Sequence, residues 1–334
     1  MNVDPTLKST FIPSVNWTLL PVEVKILLAV SGGADSTAML HAVDERRADN
    51  VIVGHINHNT RGDENAADAA FVRQLCEERH LPFCAQNLDI KDHSEAALRT
   101  ARYAALLEMA HQHHCSRIAT AHTASDVLES LLLNFLRDAS IQGWNGIAAQ
   151  RNIDAKVLLV RPLLAITREE VLRYLQDNGQ TWREDSSNKS TFYKRNAVRH
   201  RLLPVLDELV PQGIHQLAKQ AARIALLARD ENDFWETQLA TYWDEITMEE
   251  SQGLLIWNGA RFAQLHPAVQ RRLLRCAVRY FCDKTNNLDF ARIEEVRCHI
   301  AADGRNKVWQ WRGGIAVHWT GPASGRRIRI SRQA

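Results

Sequence analysis

The sequence predicts an α/β protein in two parts. A parallel-sheet domain over residues 1–210 is followed by a smaller, mainly helical domain over residues 211–334 that ends in short strands with a β-hairpin. Three observations carry this expectation. A short apolar run over residues 25–30 leads through Ser31-Gly32-Gly33-Ala34-Asp35-Ser36-Thr37 into residues 38–43, which have helical spacing. Short apolar runs then alternate with helical segments up to residue 121, the rhythm of a parallel sheet. Past Leu209 the composition shifts. Pro211-Gln212-Gly213 punctuates the chain, and Ile214, Leu217, Ala221, Ile224 and Leu227 keep helical spacing.

Composition narrows the class. At 334 residues the chain suits two domains, and 45% apolar with 24% charged residues is ordinary for a soluble globular protein. The net charge of +2 means that any basic surface is local. No run approaches a membrane span and no leader opens the chain, so a cytoplasmic location is expected. The six cysteines show neither C-x-x-C spacing nor a disulfide framework, and read as reduced thiols.

The Ser31–Ser36 loop carries the first chemistry. Strand, Ser-Gly-Gly, then helix sets consecutive unpaired backbone N–H groups at a helix N-terminus, where the helix dipole also favours an anion. The two glycines allow backbone conformations and a close approach that a side chain forbids. No Gly-Lys-Ser/Thr closes the loop, which excludes the kinase-type phosphate loop. An ordinary capped turn is the competing reading.

Residues before 25 read as a lead-in helix or arm. Residues 51–56 form the second strand and run into Asn57-His58-Asn59-Thr60-Arg61-Gly62. Polar residues at the carboxyl end of such a strand sit where ligands bind, so His55 and Asn57 are candidates for lining a nucleotide pocket, against a capped loop. A helix over residues 63–80 and a third strand over 82–88 follow. Ser94-Glu95 can cap a helix running to Ala110. Arg99 and Arg102 share one of its faces, which alone reads as solvated. The His111–His114 tail reads as an exposed helix end rather than a metal site. Residues 117–121 form a fourth strand that delivers His122 at its end. In the helix over residues 124–137, Asp126 and Glu129 are neighbours in the first turn, either as ligands or as dipole and cap partners. Lys194, Arg195, Arg199, His200 and Arg201 form a basic helical run suited to phosphate contacts, with a solvated face as the equal alternative. Further helices are expected over 267–281 and 288–301, and strands over 308–311, 315–319 and 327–330, with Gly313-Gly314 as a hairpin turn. The basic end (Arg326, Arg327, Arg329, Arg332) reads as a solvated tail ahead of a phosphate contact.

In order along the chain, these motifs resemble the tRNA(Ile)-lysidine synthetase family of N-type ATP pyrophosphatases. The resemblance rests on the Ser31–Ser36 loop, His55-Ile56-Asn57-His58, and Glu95-Ala96-Ala97-Leu98-Arg99-Thr100-Ala101-Arg102-Tyr103. It continues in Thr120-Ala121-His122 with Asp126 and Glu129, in Arg137 with Gly143 and Gly146, and in Arg161-Pro162-Leu163-Leu164 with Arg168, Glu170 and Tyr174. Its most distinctive stretches are Trp182-Arg183-Glu184-Asp185-Ser186-Ser187-Asn188 and the run from Tyr193 to Pro204. The chain departs from the pattern at Ser125 (usually acidic), Ser130 (usually threonine), Asp138 and Ser140 (usually glycine). Longer family members carry another domain beyond the point where this sequence ends.

The resemblance implies a Rossmann-like ATP pyrophosphatase domain followed by a helical tRNA-binding domain. It implies that the wobble cytidine of a CAU-anticodon isoleucine tRNA is adenylated at its C2 oxygen. The ε-amine of free L-lysine then displaces AMP, giving lysidine and changing decoding from AUG to AUA. On that reading Ser31, Gly32, Gly33, Ala34, Asp35, Ser36, His55 and Asn57 bind ATP, and Asp35 helps to hold Mg2+. Asp126, Glu129 and His122 bind lysine, and Asp35, Arg102 and Asp126 serve the reaction. Lys194, Arg195, Arg199 and Arg201 contact the tRNA. A homodimer is a further expectation, with no residue singled out for it. Chemical need fits these assignments, since adenylation turns an oxygen into a leaving group and requires the triphosphate charge to be offset. The lysine amine, with an ordinary pKa of ~10.4, must lose a proton before attack. Carboxylates favour the ammonium form, so at least one of Asp126 and Glu129 suits an α-ammonium anchor or a proton acceptor. Three alternatives stay open: a tRNA 2-thiocytidine synthetase, for which clustered cysteines are missing; a free-standing amide synthetase, for which no glutaminase-like segment is visible; and an RNA-binding protein with a degenerate ATP site.

Overall fold

The structure is a computed structural model that describes residues 11–46, 49–57, 63–88, 90, 92, 94–137, 141–183, 194–281, 290–311, 313–321 and 325–332. His58 to Gly62, Glu184 to Tyr193, Asp138 and Ser140, and Cys282 of the six cysteines, lie outside the described residues.

Alternation along the apolar runs builds the first sheet. In β1 (Ile26–Ala29), Ile26 and Leu28 enter one core while Leu27 enters another. In β2 (Val51–Asn57), Val51 and Val53 join the first core and Ile52 the second. Each such side chain contributes roughly 1.5–3 kcal/mol when fully buried, and a one-residue slip would exchange the two faces, so the register is strongly specified. With β3 (Phe83–Asn87), β4 (Arg117–Ala119), β5 (Gln150–Asn152) and β6 (Leu158–Val160), these strands pair in the order β3-β2-β1-β4-β6-β5. All pairs are parallel except that of the edge strand β5, in which Arg151 lies opposite Leu159.

Helices cover both faces. After the lead-in turn α1 (Phe11–Ser14), Phe11 stacks on Tyr174 with ring centroids 4.2 Å apart. On the first face, α2 (Ala34–Arg46) supplies Met39 and Leu40, α3 (Asp63–Glu78) supplies Val72 and Leu75, and α6 (Arg168–Asp177) supplies Val171 and Leu175. On the other, α4 (Glu95–Gln112) supplies Leu106, Met109 and Ala110. The Ser94 hydroxyl caps α4 by accepting the Ala97 N–H at 3.3 Å, as the sequence suggested.

Topology decides where a ligand goes. The chain leaves β1 for β2 and β3 on one side, then returns to place β4 on the other. At such a reversal the loops after the two adjacent strands diverge and open a crevice at their carboxyl ends. The loop after β1 is Ser31-Gly32-Gly33, and the loop after β4 carries His122 into α5 (Ala124–Phe135).

The chain divides into two compact units, Met1–Arg137 with Gly143–Leu227, and Asp138–Gln142 with Ala228–Ala334. The first also holds α7 (Lys194–Ala197), a π-helical turn over Val198–Leu202, α8 (Leu203–Leu209) and the opening of α9 (Gly213–Ile246). Val127, Leu128 and Leu131 of α5 pack there against Ala218, Ala221 and Ala225 of α9. Gly146 completes the seam at φ 55°, where an added Cβ would stand 3.0 Å from that of Ala225.

In the second unit, the sequence pattern marked three strands. The sheet has five among the described residues, in the order β7-β8-β11-β10-β9. The three are β9 (Lys307–Trp311), β10 (Ile315–Thr320) and β11 (Arg327–Arg332), with Gly313 and Gly314 both at positive φ. The additional pair is β7 (Thr247–Ser251), whose polar sequence hides it, and β8 (Leu254–Asn258), an apolar run too short to tell from helix. Trp257, Phe262 and Trp319 fill the core between this sheet and α10 (Gly259–Gln264), α11 (Pro267–Phe281) and α12 (Phe290–Ala301). On β11, Arg327 and Arg329 are exposed between buried Ile328 and Ile330. Arg326 is paired with Asp303 at 2.7 Å and Arg332 donates to the Phe281 carbonyl at 3.1 Å. Among the described residues no helix is long and apolar enough to cross a membrane.

Candidate active site

The Ser31–Ser36 loop is tied together by its own serines. The Ser36 hydroxyl donates to the Gly33 carbonyl at 3.0 Å and accepts the Ser31 N–H at 3.2 Å. The Ser31 Oγ lies 3.1 Å from it and accepts the Gly33 N–H at 3.4 Å. Gly32 sits at φ 91°, with Phe71 and Val72 each 3.4 Å from where a Cβ would be, so the turn requires glycine. Arg183 closes the outside, its N–H donating to the Gly32 carbonyl at 2.9 Å and its Nε to Asp68 at 2.8 Å. His55 is buried, with Nδ1 2.9 Å from the Val30 carbonyl, so it braces the strand that launches the loop. Burial pushes its pKa down, and the neutral ring donates from Nδ1. Asn57 stands half-buried at the end of β2.

Asp35 occupies the first turn of α2. Its Oδ2 accepts a hydrogen bond from Arg168 Nη1 at 2.6 Å, while Oδ1 is buried without a partner among the described residues. Burial raises its pKa, against the lowering effect of Arg168. An unpartnered carboxylate oxygen in the first turn of the helix that follows the Ser-Gly-Gly loop is a fitting ligand for a hard divalent cation. Among the described residues no three His, Cys, Asp or Glu side chains are grouped to hold a metal. A magnesium ion carried by ATP takes one or two carboxylates plus phosphate oxygens and water, so a single Asp suits it. Arg168 is aimed by the start of α6: its N–H donates to Ser125 Oγ at 3.1 Å, next to the Thr167–Glu170 capping box. Ser125, a departure from the family pattern, thus anchors the arginine that holds Asp35.

The two readings of Asp126 are compatible, because its two oxygens do different work. Oδ2 caps α5, accepting the Thr123 N–H at 2.8 Å and the Thr123 hydroxyl at 3.0 Å. Oδ1 accepts from Arg195 Nη2 at 2.7 Å. Glu129, only 2% exposed, accepts from Arg195 Nε on one oxygen and from Arg199 Nε on the other, both at 2.7 Å. Residues assigned from sequence to two separate tasks, lysine binding and tRNA binding, therefore form one cluster. Lys194 and Arg201, from the same basic run, are exposed.

His122 stands beside this cluster, its Nδ1 3.0 Å from Thr120 Oγ1. Burial lowers its pKa to about 4, with Arg161, Arg195 and Arg99 working in the same direction against Asp126, so the ring is neutral at pH 7. Burial works to raise the Asp126 carboxyl, but the Arg195 guanidinium and the Thr123 hydrogen bonds hold its pKa below the ordinary carboxylate value.

A second cationic group surrounds Tyr103. The guanidinium carbons of Arg99 and Arg151 each lie 5.1 Å from its ring centroid, and Arg161 is within electrostatic reach of its hydroxyl. Arg161 is 3% exposed; its Nη1 donates to the Ala148 carbonyl at 2.6 Å and its Nε has no partner among the described residues. Among the described residues no carboxylate pairs with any of these three. A cation–π contact at an exposed site contributes roughly 0.5–1 kcal/mol, too little to account for three like charges at one ring. Arg102, expected in the reaction, lies exposed on α4. The signal for Arg161 was available, since Arg-Pro directly follows an apolar strand at the ligand edge of the sheet. Arg151 gave none, being one arginine in a short polar edge strand.

Comparison with known proteins follows the same division. A family model described as the PP-loop domain matches residues 8–206, and one described as the TilS substrate binding domain matches residues 258–332. A tRNA(Ile)-lysidine synthase from Synechococcus sp. is 34% identical, with 85% of each chain covered. One from Solibacter usitatus is 33% identical over 81% of this chain, which spans 60% of that protein's length. Among solved structures, the U34-tRNA thiolase NcsA from Methanococcus maripaludis aligns with a TM-score of 0.53 at 18% identity, covering 66% of this chain and 78% of that one, a likeness of fold alone. With a PP-loop domain over more than half its length and relatives of this kind along most of it, the chain belongs to the tRNA(Ile)-lysidine synthase family.

Proposed function

We propose that the chain uses ATP to ligate free L-lysine to carbon 2 of the wobble cytidine in CAU-anticodon tRNA(Ile), through an adenylated cytidine. The observation that supports this best is the acidic pair of half-buried Asp126 and buried Glu129, a site for an ammonium group, set across the crevice of a PP-loop fold from the Ser31–Ser36 loop. The loop N–H groups receive phosphate oxygens at the start of α2. Asp35 Oδ1 would hold Mg2+, which when bound offsets the charge on the phosphates. Arg168 fixes the other Asp35 oxygen and so holds the carboxylate in place. A neutral His122 adds no repulsion against an incoming ammonium. The lysine ammonium takes acceptor positions that Arg195 and Arg199 fill, and tRNA phosphates compete for the same guanidiniums. Exposed Lys194 and Arg201 extend that basic surface.

Sulfur transfer fits less well. Burial pushes the Cys76 and Cys115 thiols to about 12 and about 11, far from a reactive thiolate. The test is incubation with ATP, labelled lysine and transcribed tRNA species. Label is expected in the CAU-anticodon isoleucine tRNA alone, with AMP and pyrophosphate as products. ADP as the nucleotide product, or equal labelling of elongator methionine tRNA, would overturn the proposal.

A further inference from the structure

We propose that Arg99, Arg151 and Arg161 bind the α-carboxylate of the amino acid, so that the site reads lysine by both ends rather than by its amines alone. This rests on the ligase reading above. Three observations carry it. Arg168, Arg195 and Arg199 each meet a carboxylate within 2.7 Å, whereas among the described residues the three arginines around Tyr103 meet none. Arg161 is 3% exposed and pinned by the Ala148 carbonyl, yet among the described residues its Nε lacks an acceptor. A buried charged donor left unpaired is costly, and a ligand oxygen there would satisfy it. The position is also right. Arg161 directly follows β6, and Arg99 lies in the N-terminal half of α4, the helix that leads into β4 and so begins at the carboxyl edge of the sheet.

Charge selects the ligand. Asp35, Asp126 and Glu129 are matched by Arg168, Arg195 and Arg199, whereas among the described residues the arginines around Tyr103 have no matching carboxylate. His122 is in electrostatic reach of Asp126 on α5 and of Arg99 and Arg161 on α4 and after β6. One imidazole thus borders an acidic and a basic group, as a zwitterion with separated ends requires. Guanidinium forks suit carboxylate and phosphate alike. A side chain as buried as that of Arg161 favours a small ligand over a polymer backbone.

The experiment compares lysine with cadaverine, which has the same two amines and no carboxylate, using the full chain, ATP and transcribed tRNA. Cadaverine is read as a substrate or, where it is not incorporated, as a competitor of labelled lysine. Arg99→Gln and Arg151→Gln are the variants, because both side chains are exposed and their loss leaves the core intact. Each should reduce kcat/KM for lysine by roughly ten- to a hundredfold, the size of one lost charge-assisted hydrogen bond. The cadaverine value should move far less, so the preference for lysine collapses. Equal losses for both amines, an unchanged preference, or weaker tRNA binding at fixed salt with the preference intact would overturn the proposal. The last result would assign the arginines to RNA phosphate. A wild-type chain that incorporates neither amine and releases no pyrophosphate would instead contradict the ligase reading itself.

Discussion

Two sets of arginines meet near His122, and they differ in what they face. Arg195 and Arg199 are held by Asp126 and Glu129 at 2.7 Å, in a cluster whose Glu129 carboxylate is almost wholly buried and whose Asp126 is half-buried. Arg99, Arg151 and Arg161 share a tyrosine and no carboxylate among the described residues. On the reading proposed above, the first set contributes to folding and is rearranged by a ligand. The second lacks a carboxylate among the described residues and stands to gain one from a ligand. A charged group that stabilises the empty protein and one that waits for substrate can thus be told apart by their partners.

The largest expected effect lies at the loop itself, outside both sets. Asp35→Asn removes the carboxylate that Arg168 orients while nearly keeping its volume. Pyrophosphate release should fall by roughly a hundredfold or more, the scale of losing one placed electrostatic group. Filter binding of tRNA at fixed salt should be retained, and parallel loss of both signals would mean a damaged fold. The next effect tests the comparison directly. Arg195→Gln should lower folding stability by about 2–3 kcal/mol, less than the roughly 3–5 kcal/mol of a fully buried pair because the Arg195 side chain is 26% exposed. Arg151→Gln should stay within about 0.5 kcal/mol of wild type. Urea unfolding of both variants measures the difference, and similar losses would erase the distinction between the two sets.

A smaller effect appears with pH. Burial, helped by Arg79, lowers the His41 pKa to about 4, and His122 shifts the same way. A histidine whose folded pKa lies below its unfolded value of about 6.5 favours the neutral folded form. Its contribution is complete above that value and is lost as pH falls toward 4. The urea midpoint should therefore decline from pH 7 to pH 5, with a slope of up to about 1.4 kcal/mol per pH unit for each histidine. His41→Gln should make the decline shallower, and an unchanged slope would remove His41 from the account.

Local pattern made much of the fold legible. The strand, loop and helix over residues 26–46 follow from one apolar run, two glycines and a stretch of helical spacing. Helix α11 falls at Pro267–Phe281, where the periodicity put it, because its apolar stripe is continuous. The site was legible residue by residue but not in its assembly. Asp126 and Arg195 are 69 positions apart, and Glu129 and Arg199 are 70 apart, so no spacing rule joins them. Only the return of the chain to β4 and the packing of α7 on α5 bring them together, and charge alone assigned the arginines to RNA. Strands β7 and β8 escaped for a different reason, since polar Thr247–Ser251 lacks the alternation that marks a half-buried strand.

The most direct measurement is the lysine dependence of labelled tRNA formation by Glu129→Gln, with pyrophosphate release followed on the same preparation. Glu129 accepts from both Arg195 and Arg199, and its amide counterpart keeps the volume while removing the charge. If the acidic pair binds the lysine ammonium, adenylated tRNA still forms and the lysine requirement rises by roughly ten- to a hundredfold. A lysine requirement that does not move, with stability alone reduced, would show that the cluster only holds the fold.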